Sequence, residues 1–260
     1  MSAPGSSTSS AAAGEPLLVA EHVTAGYGRD VVLADVSLTV RRGDFLAVLG
    51  PNGGGKTTLL KVLLGLLEPW SGRVEHRHSQ RGGALGYVPQ HATFERSFPA
   101  RVRDVVLMGR LGRRGLLRRY TRDDRAAAAA ALEEVGLTGL SAEPVEELSG
   151  GQLQRTLIAR ALAGDPEILL LDEPLASVDP EMRGRLVRLL GELNRRIPLV
   201  VVTHDLTPFG ATVRQIACVN RRLHYHPEGK LTREALEEVY GCPVELVSHG
   251  VPHRVLAAHP

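Results

Sequence analysis

An α/β fold with a ligand site along one edge of a parallel sheet is predicted from three stretches of the sequence. Residues 50–58, GPNGGGKTT, fit the pattern G-x-x-x-x-G-K-[ST] between the apolar runs FLAVL and LLKVLLGLL, which read as a strand and a helix. Residues 168–171, ILLL, are short and continuously apolar, as a strand buried on both faces requires, and they end in Asp172-Glu173. Residues 199–202, LVVV, repeat that pattern and end in Thr203-His204-Asp205. Open α/β sheets bind ligands beyond the carboxyl ends of their strands, so these three termini predict one shared site.

The glycine-rich string predicts what that site binds. Gly50, Pro51, Asn52, Gly53, Gly54 and Gly55 let the backbone fold into a nest of inward-pointing N–H groups, and the helix starting near Lys56 adds its positive dipole end. Lys56 is then expected to reach the β- and γ-phosphates of a nucleotide, with Thr57 on Mg²⁺ and Thr58 beside it in the nucleotide site. A chance glycine turn before a lysine would give this pattern in roughly one such chain in a hundred. A second glycine turn, Leu148-Ser149-Gly150-Gly151-Gln152, opens directly onto the amphipathic helix LQRTLIARALAG, and its N–H groups and the Ser149 hydroxyl suit a phosphate equally well. Asp172 and Glu173, adjacent carboxylates at the end of a buried strand, are costly there unless they face a site. Asp172 suits the Mg²⁺ shell and Glu173 suits a base that takes the proton of an attacking water. His204 shares the same sheet edge, which favours a γ-phosphate contact over a purely structural role.

Taken in order, residues 1–16 are rich in Ser, Ala and Gly and read as a disordered tail, without the basic and apolar regions of a secretory signal. From Leu17 the pattern is strand-like: LLVAEHV, then VVLADVSLTV after a turn at Gly26-Tyr27-Gly28, then DFLAVLG entering the loop. The alternation of two of these strands suits a half-exposed antiparallel sheet. Tyr27 either stacks on a base or stands as a turn tyrosine with a solvated hydroxyl. A helix over 56–67 is followed by strands around RVEH and ALGYV, the latter closing at Pro89-Gln90, where a polar tip can reach a site. Residues 91–147 read as an inserted helical subdomain, with helix patterns at 101–110 and 122–135; the second opens on Thr121-x-x-Asp124, a capping-box-like start. Nine arginines fall between Arg101 and Arg125. They could meet anionic headgroups or nucleic acid, but Asp104, Asp123 and Asp124 interrupt them and no aromatic ladder accompanies them, which favours a solvated helix surface near a partner. A helix over 180–196, strands RQIACVN and RRLHYH, and a helix over 232–240 complete the chain.

Bulk composition excludes several classes. A length of 260 residues with 43% hydrophobic content suits one large domain with room for a subdomain. The net charge of +2 gives no argument for a nucleic-acid partner. Two cysteines, Cys218 and Cys242, are too few for a disulfide framework, which predicts a reducing compartment. No apolar run approaches the roughly 18 residues needed to cross a bilayer.

These motifs, in this order, resemble the ATPase subunit of ATP-binding cassette (ABC) transporters over residues 17–225. The resemblance implies a phosphate-loop ATPase with a RecA-like core, an N-terminal antiparallel β subdomain and an inserted helical subdomain spanning about 91–165, with 226–260 as a C-terminal extension. It implies that Tyr27 is the adenine-stacking aromatic, GPNGGGKTT the Walker A loop, and Gln90 the glutamine that senses Mg²⁺ and the membrane partner. It further implies that Ser149, Gly150, Gly151 and Gln152 belong to the family signature LSGGQ, Asp172 to Walker B, Glu173 to the catalytic base, Asp179 to the dimer seam and His204 to the switch histidine. The seam loop departs from the common SALD, reading Ala176-Ser177-Val178-Asp179. ATP and Mg²⁺ are the implied cofactors. The implied partners are a second copy of the chain in an ATP sandwich, transmembrane permease subunits and, indirectly, an extracytoplasmic metal-binding protein, with no nucleic acid. The implied location is peripheral, on the cytoplasmic face of the membrane.

FPARVRDVVLMGR and the tail from Asn220 resemble the branch of the family that takes up zinc or manganese, zinc being the expected cargo. The tail holds His224, His226, Cys242, His249 and His253, but Gly250 and Pro252 spoil helical spacing between the last two, so a metal site there is not expected. A soluble ABC protein of translation or repair, a phosphate-loop metabolic kinase and a metal-sensing module are the alternatives. The first would carry tandem cassettes or a coiled-coil insert, and the second would not need LSGGQ.

Overall fold

The computed structural model describes residues 14–77, 84–90, 99–114, 119–210 and 212–226. In chain order the strands are β1 (Pro16–Tyr27), β2 (Asp30–Arg41), β3 (Phe45–Leu49), β4 (Ser71–His76), β5 (Ala84–Val88), β6 (Pro166–Asp172), β7 (Leu199–Val202), β8 (Gln215–Asn220) and β9 (Arg222–His226). The helices are α1 (Lys56–Leu63), α2 (Val102–Leu107), α3 (Leu111–Arg114), α4 (Arg122–Glu134), α5 (Gly150–Ala163) and α6 (Pro180–Asn194). The predicted helix over 232–240, most of the tail over 1–16, and Cys242, His249 and His253 lie outside the described residues.

The alternating patterns of β1 and β2 give a three-stranded antiparallel sheet of order β2-β1-β4, whose buried side carries Leu33, Val36, Leu38 and Val40 from β2. The continuous apolar runs give the second sheet, of order β5-β6-β7-β3-β8-β9, parallel except for β9. Every residue of β3 and β7 is buried. The two-residue period of a strand then divides the core. Leu46, Val48, Ile168, Leu170, Val200 and Val202 join α1 and the antiparallel sheet on one side. Phe45, Leu169, Leu171, Leu199 and Val201 join the α5 and α6 layer on the other.

Three local expectations change. The turn expected at Gly26-Tyr27-Gly28 falls two residues later: Tyr27 pairs with Asp30, Gly26 with Val31, and the two-residue turn is Gly28-Arg29. The helix expected over 56–67 stops at Leu63, because the N–H groups of Gly65 and Leu66 fold back onto the carbonyls of Val62 (3.0 Å) and Lys61 (2.8 Å). The arginine run is not wholly a solvated surface. The Arg110 side chain is 14% exposed; its Nε donates to Asp124 Oδ1 (3.1 Å) and its Nη1 to the Ala163 carbonyl (2.9 Å). Asp124 is fully buried, and its Oδ2 accepts from the Thr121 N–H and hydroxyl, both at 2.8 Å, which closes the predicted capping box. Arg110 thus ties the start of α4 to the end of α5, an internal role that charge patterning cannot distinguish from a surface one.

Candidate functional site

The strand order determines which residues can meet. β7 lies between β3 and β6, so the turn leaving β3, the carboxylates ending β6 and the Thr203-His204 corner after β7 emerge side by side. The turn from Gly50 to Lys56 curls so that Gly54 N–H donates to the Pro51 carbonyl (3.0 Å). Lys56 Nζ donates across it to the carbonyls of Gly50 (2.8 Å) and Pro51 (3.0 Å). Burial lowers the Lys56 pKa, against the opposing pull of the Glu173 and Asp172 charges.

Thr57 Oγ1 donates to Asp172 Oδ2 at 3.3 Å, linking the first turn of α1 to the end of β6. Asp172 is 3% exposed. Glu173 follows with φ 46°, a left-handed backbone conformation, while its N–H donates to the Val202 carbonyl (2.9 Å). That twist carries the Glu173 carboxylate into the cleft, where Oε2 lies 2.9 Å from His204 Nδ1. The histidine side chain is open to solvent and the glutamate largely buried, so the pair stands at the mouth of the cleft. Gln90, just beyond β5, joins Asn52, Gly53, Lys56, Thr57, Asp172 and Glu173 in lining it.

Tyr27 does not line the cleft but stands beside it. Its ring is half-exposed and its hydroxyl accepts from Lys61 Nζ at 3.3 Å. A hydrogen bond from Thr58 is the main cause that lowers the phenol pKa; burial opposes it, and the Lys61 contact and charge lower it further.

Ser149, Gly150, Gly151, Gln152 and Asp179 do not line this cleft either. Ser149 caps α5: its Oγ accepts from Gln152 N–H (3.3 Å) and its own N–H donates to Gln152 Oε1 (2.8 Å). The α5 start packs on the segment before α6, so closely that a Cβ on Gly150 would collide with the Ser177 carbonyl. Asp179 is the N-cap position of α6. The two glycine turns predicted to suit phosphates therefore belong to separate surfaces of the chain, one around the cleft and one at the α5–α6 junction.

Sequence reading missed three contributors. Val32 lines the cleft. Lys61 holds the Tyr27 hydroxyl. Arg221, at φ 58° between β8 and β9, donates its N–H to the Gly54 carbonyl (3.2 Å) and accepts from Ala34 N–H (2.7 Å), bracing the loop against β2. Its signal is a backbone one, carried by strand pairing and not by residue type. Among the described residues no cluster of three or more His, Cys, Asp or Glu side chains could hold a metal ion. His224 and His226 do fall on one face of β9, opposite Cys218 and Ile216.

A buried cation in a glycine nest, a hydroxyl bonded to one carboxylate, and a second carboxylate bonded to a histidine, all on the carboxyl edge of a parallel sheet, define a nucleotide-binding ATPase cassette of the phosphate-loop class. Comparison with known proteins agrees. The family model for ABC transporters matches residues 33–176. The manganese transport system ATP-binding protein MntB of Bacillus subtilis is 39% identical over 227 residues, covering 85% of this chain and 91% of its own. The zinc import ATP-binding protein ZnuC of Hydrogenovibrio crunogenus is 32% identical over 237 residues, covering 90% and 91%. Among solved structures, a chain assigned to a metal-chelate type ABC transporter in an inward-facing conformation superposes with a TM-score of 0.79 at 31% identity, covering 88% of this chain and 90% of that one. The chain belongs to the ABC transporter family, whose ATP-binding cassettes hydrolyse ATP. No helix among the described residues is long and apolar enough to cross a membrane.

Proposed function

We propose that this chain is the ATP-hydrolysing subunit of a transporter that takes up zinc or manganese, working from the cytoplasmic face of the membrane through separate permease subunits. The observation that carries the chemistry is the Glu173–His204 pair beside the Thr57–Asp172 pair on one sheet edge. Lys56 and the loop N–H groups bind the polyphosphate, and Lys56 exchanges its loop carbonyls for phosphate oxygens. Thr57 Oγ1, Asp172 Oδ2 and the Gln90 side-chain oxygen are hard donors facing one cleft, so they fit Mg²⁺. When bound, that ion neutralises charge on the β- and γ-phosphate oxygens. Glu173 takes a proton from water as the water oxygen bonds to the γ-phosphorus and the bond from phosphorus to the bridging oxygen of ADP breaks. His204 fixes the rotamer of Glu173 through the 2.9 Å contact and stands toward the γ-phosphate.

The Ser149–Gln152 turn and Asp179 stand outside their own cleft, which supports the reading that a second copy supplies them across an ATP sandwich. Tyr27 stacks on the adenine. Closing and reopening of that sandwich drives the permease subunits. The manganese-system relative is the more similar of the two, 39% against 32%, so manganese stands level with zinc as cargo, delivered by an extracytoplasmic metal-binding protein.

Deleting the gene for this chain is expected to slow growth in medium depleted of the transported metal and to be rescued by that metal alone, while affinity purification of the tagged chain from membranes retains a polytopic protein. Normal growth in both zinc-poor and manganese-poor medium would refute the metal assignment. Purification without any membrane protein would refute the transporter assignment.

A further inference from the structure

We propose that Trp70 and Lys61 are positioning residues that fix the Tyr27 ring as the base platform of the nucleotide cleft, Trp70 by packing on the hairpin backbone and Lys61 by holding the phenol hydroxyl. The proposal rests on the reading of that cleft as a nucleotide site and adds what makes the platform rigid.

Tyr27 is the last residue of β1, next to a two-residue turn, and its side chain is 47% exposed. An aromatic ring at such a hairpin tip is ordinarily free to change rotamer, and a ring that must first be immobilised loses part of its stacking energy to that ordering. Here both ends are held. At the hydroxyl end, Lys61 Nζ is 3.3 Å from the phenol oxygen and 5.5 Å from the ring centroid, and Thr58 bonds the same oxygen. Lys61 and Thr58 belong to α1, the helix that begins at the phosphate loop, so the ring is referenced to the polyphosphate site.

At the backbone end, the main-chain N–H of Trp70 donates to the Thr24 carbonyl (2.7 Å), which anchors the residue beside β1. A Cβ on Gly26 would collide with the Asp30 carbonyl of the paired strand and would also lie 2.9 Å from Trp70 Cη2, so the indole closes over the open side of this glycine. Trp70 thus packs on a glycine that the hairpin backbone already requires, immediately before Tyr27 in the strand. Trp70 nevertheless stays 48% exposed, which core packing alone does not require of the largest side chain in the protein.

The test is calorimetric titration of the full-length chain with ATP and with inorganic tripolyphosphate, which has no base. Trp70→Ala and Lys61→Met are each expected to weaken ATP binding about five- to tenfold, a fraction of what a base–aromatic stack is worth, and to leave tripolyphosphate affinity unchanged. Trp70→Phe is expected to stay within about twofold of wild type, because a smaller aromatic still covers Gly26. In steady-state assays the same variants are expected to raise KM for ATP with kcat at saturation retained. ATP affinity unchanged in either variant would overturn the proposal, as would equal losses for ATP and tripolyphosphate, which mark a general disturbance of the loop. If Trp70→Ala does not fold, Lys61→Met and Trp70→Phe still decide the outcome. Wild-type protein that binds neither ligand would refute the nucleotide reading itself, a result distinct from wild-type binding with insensitive variants.

Discussion

Glu173→Gln is expected to slow ATP hydrolysis by at least about a hundredfold, the lower end of what a positioned general base contributes, while ATP affinity stays within a few-fold of wild type. The amide retains the volume of the carboxylate and can still bond His204 Nδ1, so the cleft keeps its shape and loses only the proton acceptor. Asp172, bonded to Thr57, is untouched. Because bound ATP then persists, gel filtration with MgATP is expected to show the variant as a dimer where the wild type returns to monomer. A variant that hydrolyses ATP at the wild-type rate would remove Glu173 from the base role. One that binds and stalls as a monomer would refute the sandwich.

Lys56→Ala is expected to weaken ATP binding by at least about a hundredfold, the scale on which truncating one partner of a buried charged contact acts. Lys56 is 9% exposed and already aimed into the loop by the carbonyls of Gly50 and Pro51. Those carbonyls would lose their donor, and the triphosphate would face Asp172 and Glu173 without a basic side chain among the residues that line the cleft. Equilibrium dialysis with labelled ATP reads the loss directly; unchanged affinity would refute the phosphate-loop assignment for this cleft.

Much of the molecule was legible because its signals are local. The ILLL and LVVV runs predicted buried parallel strands, since only a strand covered on both faces tolerates four consecutive apolar side chains. The loop at 50–58 and the carboxylates at 172–173 were legible for a similar reason: glycine nests and paired acids are unfavourable where they serve nothing. What stayed hidden depends on distant partners. Arg110 reads like its neighbours in an arginine-rich stretch, and only the packing of α4 on α5 turns it inward toward Asp124. Arg221 contributes its backbone, so no side-chain pattern marks it. The hairpin turn falls at Gly28-Arg29 because Gly26 and Tyr27 still pair with Val31 and Asp30, a register that the glycines alone do not mark. That the Ser149–Gln152 turn stays outside the cleft follows from the packing of α5 on the segment before α6, which sequence order alone does not convey.

The left-handed backbone of Glu173 has an evolutionary consequence. A residue with a β-carbon is held at φ 46° against a steric cost of roughly 1–3 kcal/mol, so the chain would be steadier with glycine at the very position proposed to supply the proton acceptor. Glu173→Gly is accordingly expected to melt a few degrees above the wild type while losing turnover, a pairing that thermal-shift and phosphate-release assays can check on one preparation. Selection for heat tolerance alone would favour glycine at this position. On the proposed mechanism, a library screened for robustness without an activity filter would discard the base while improving the scaffold.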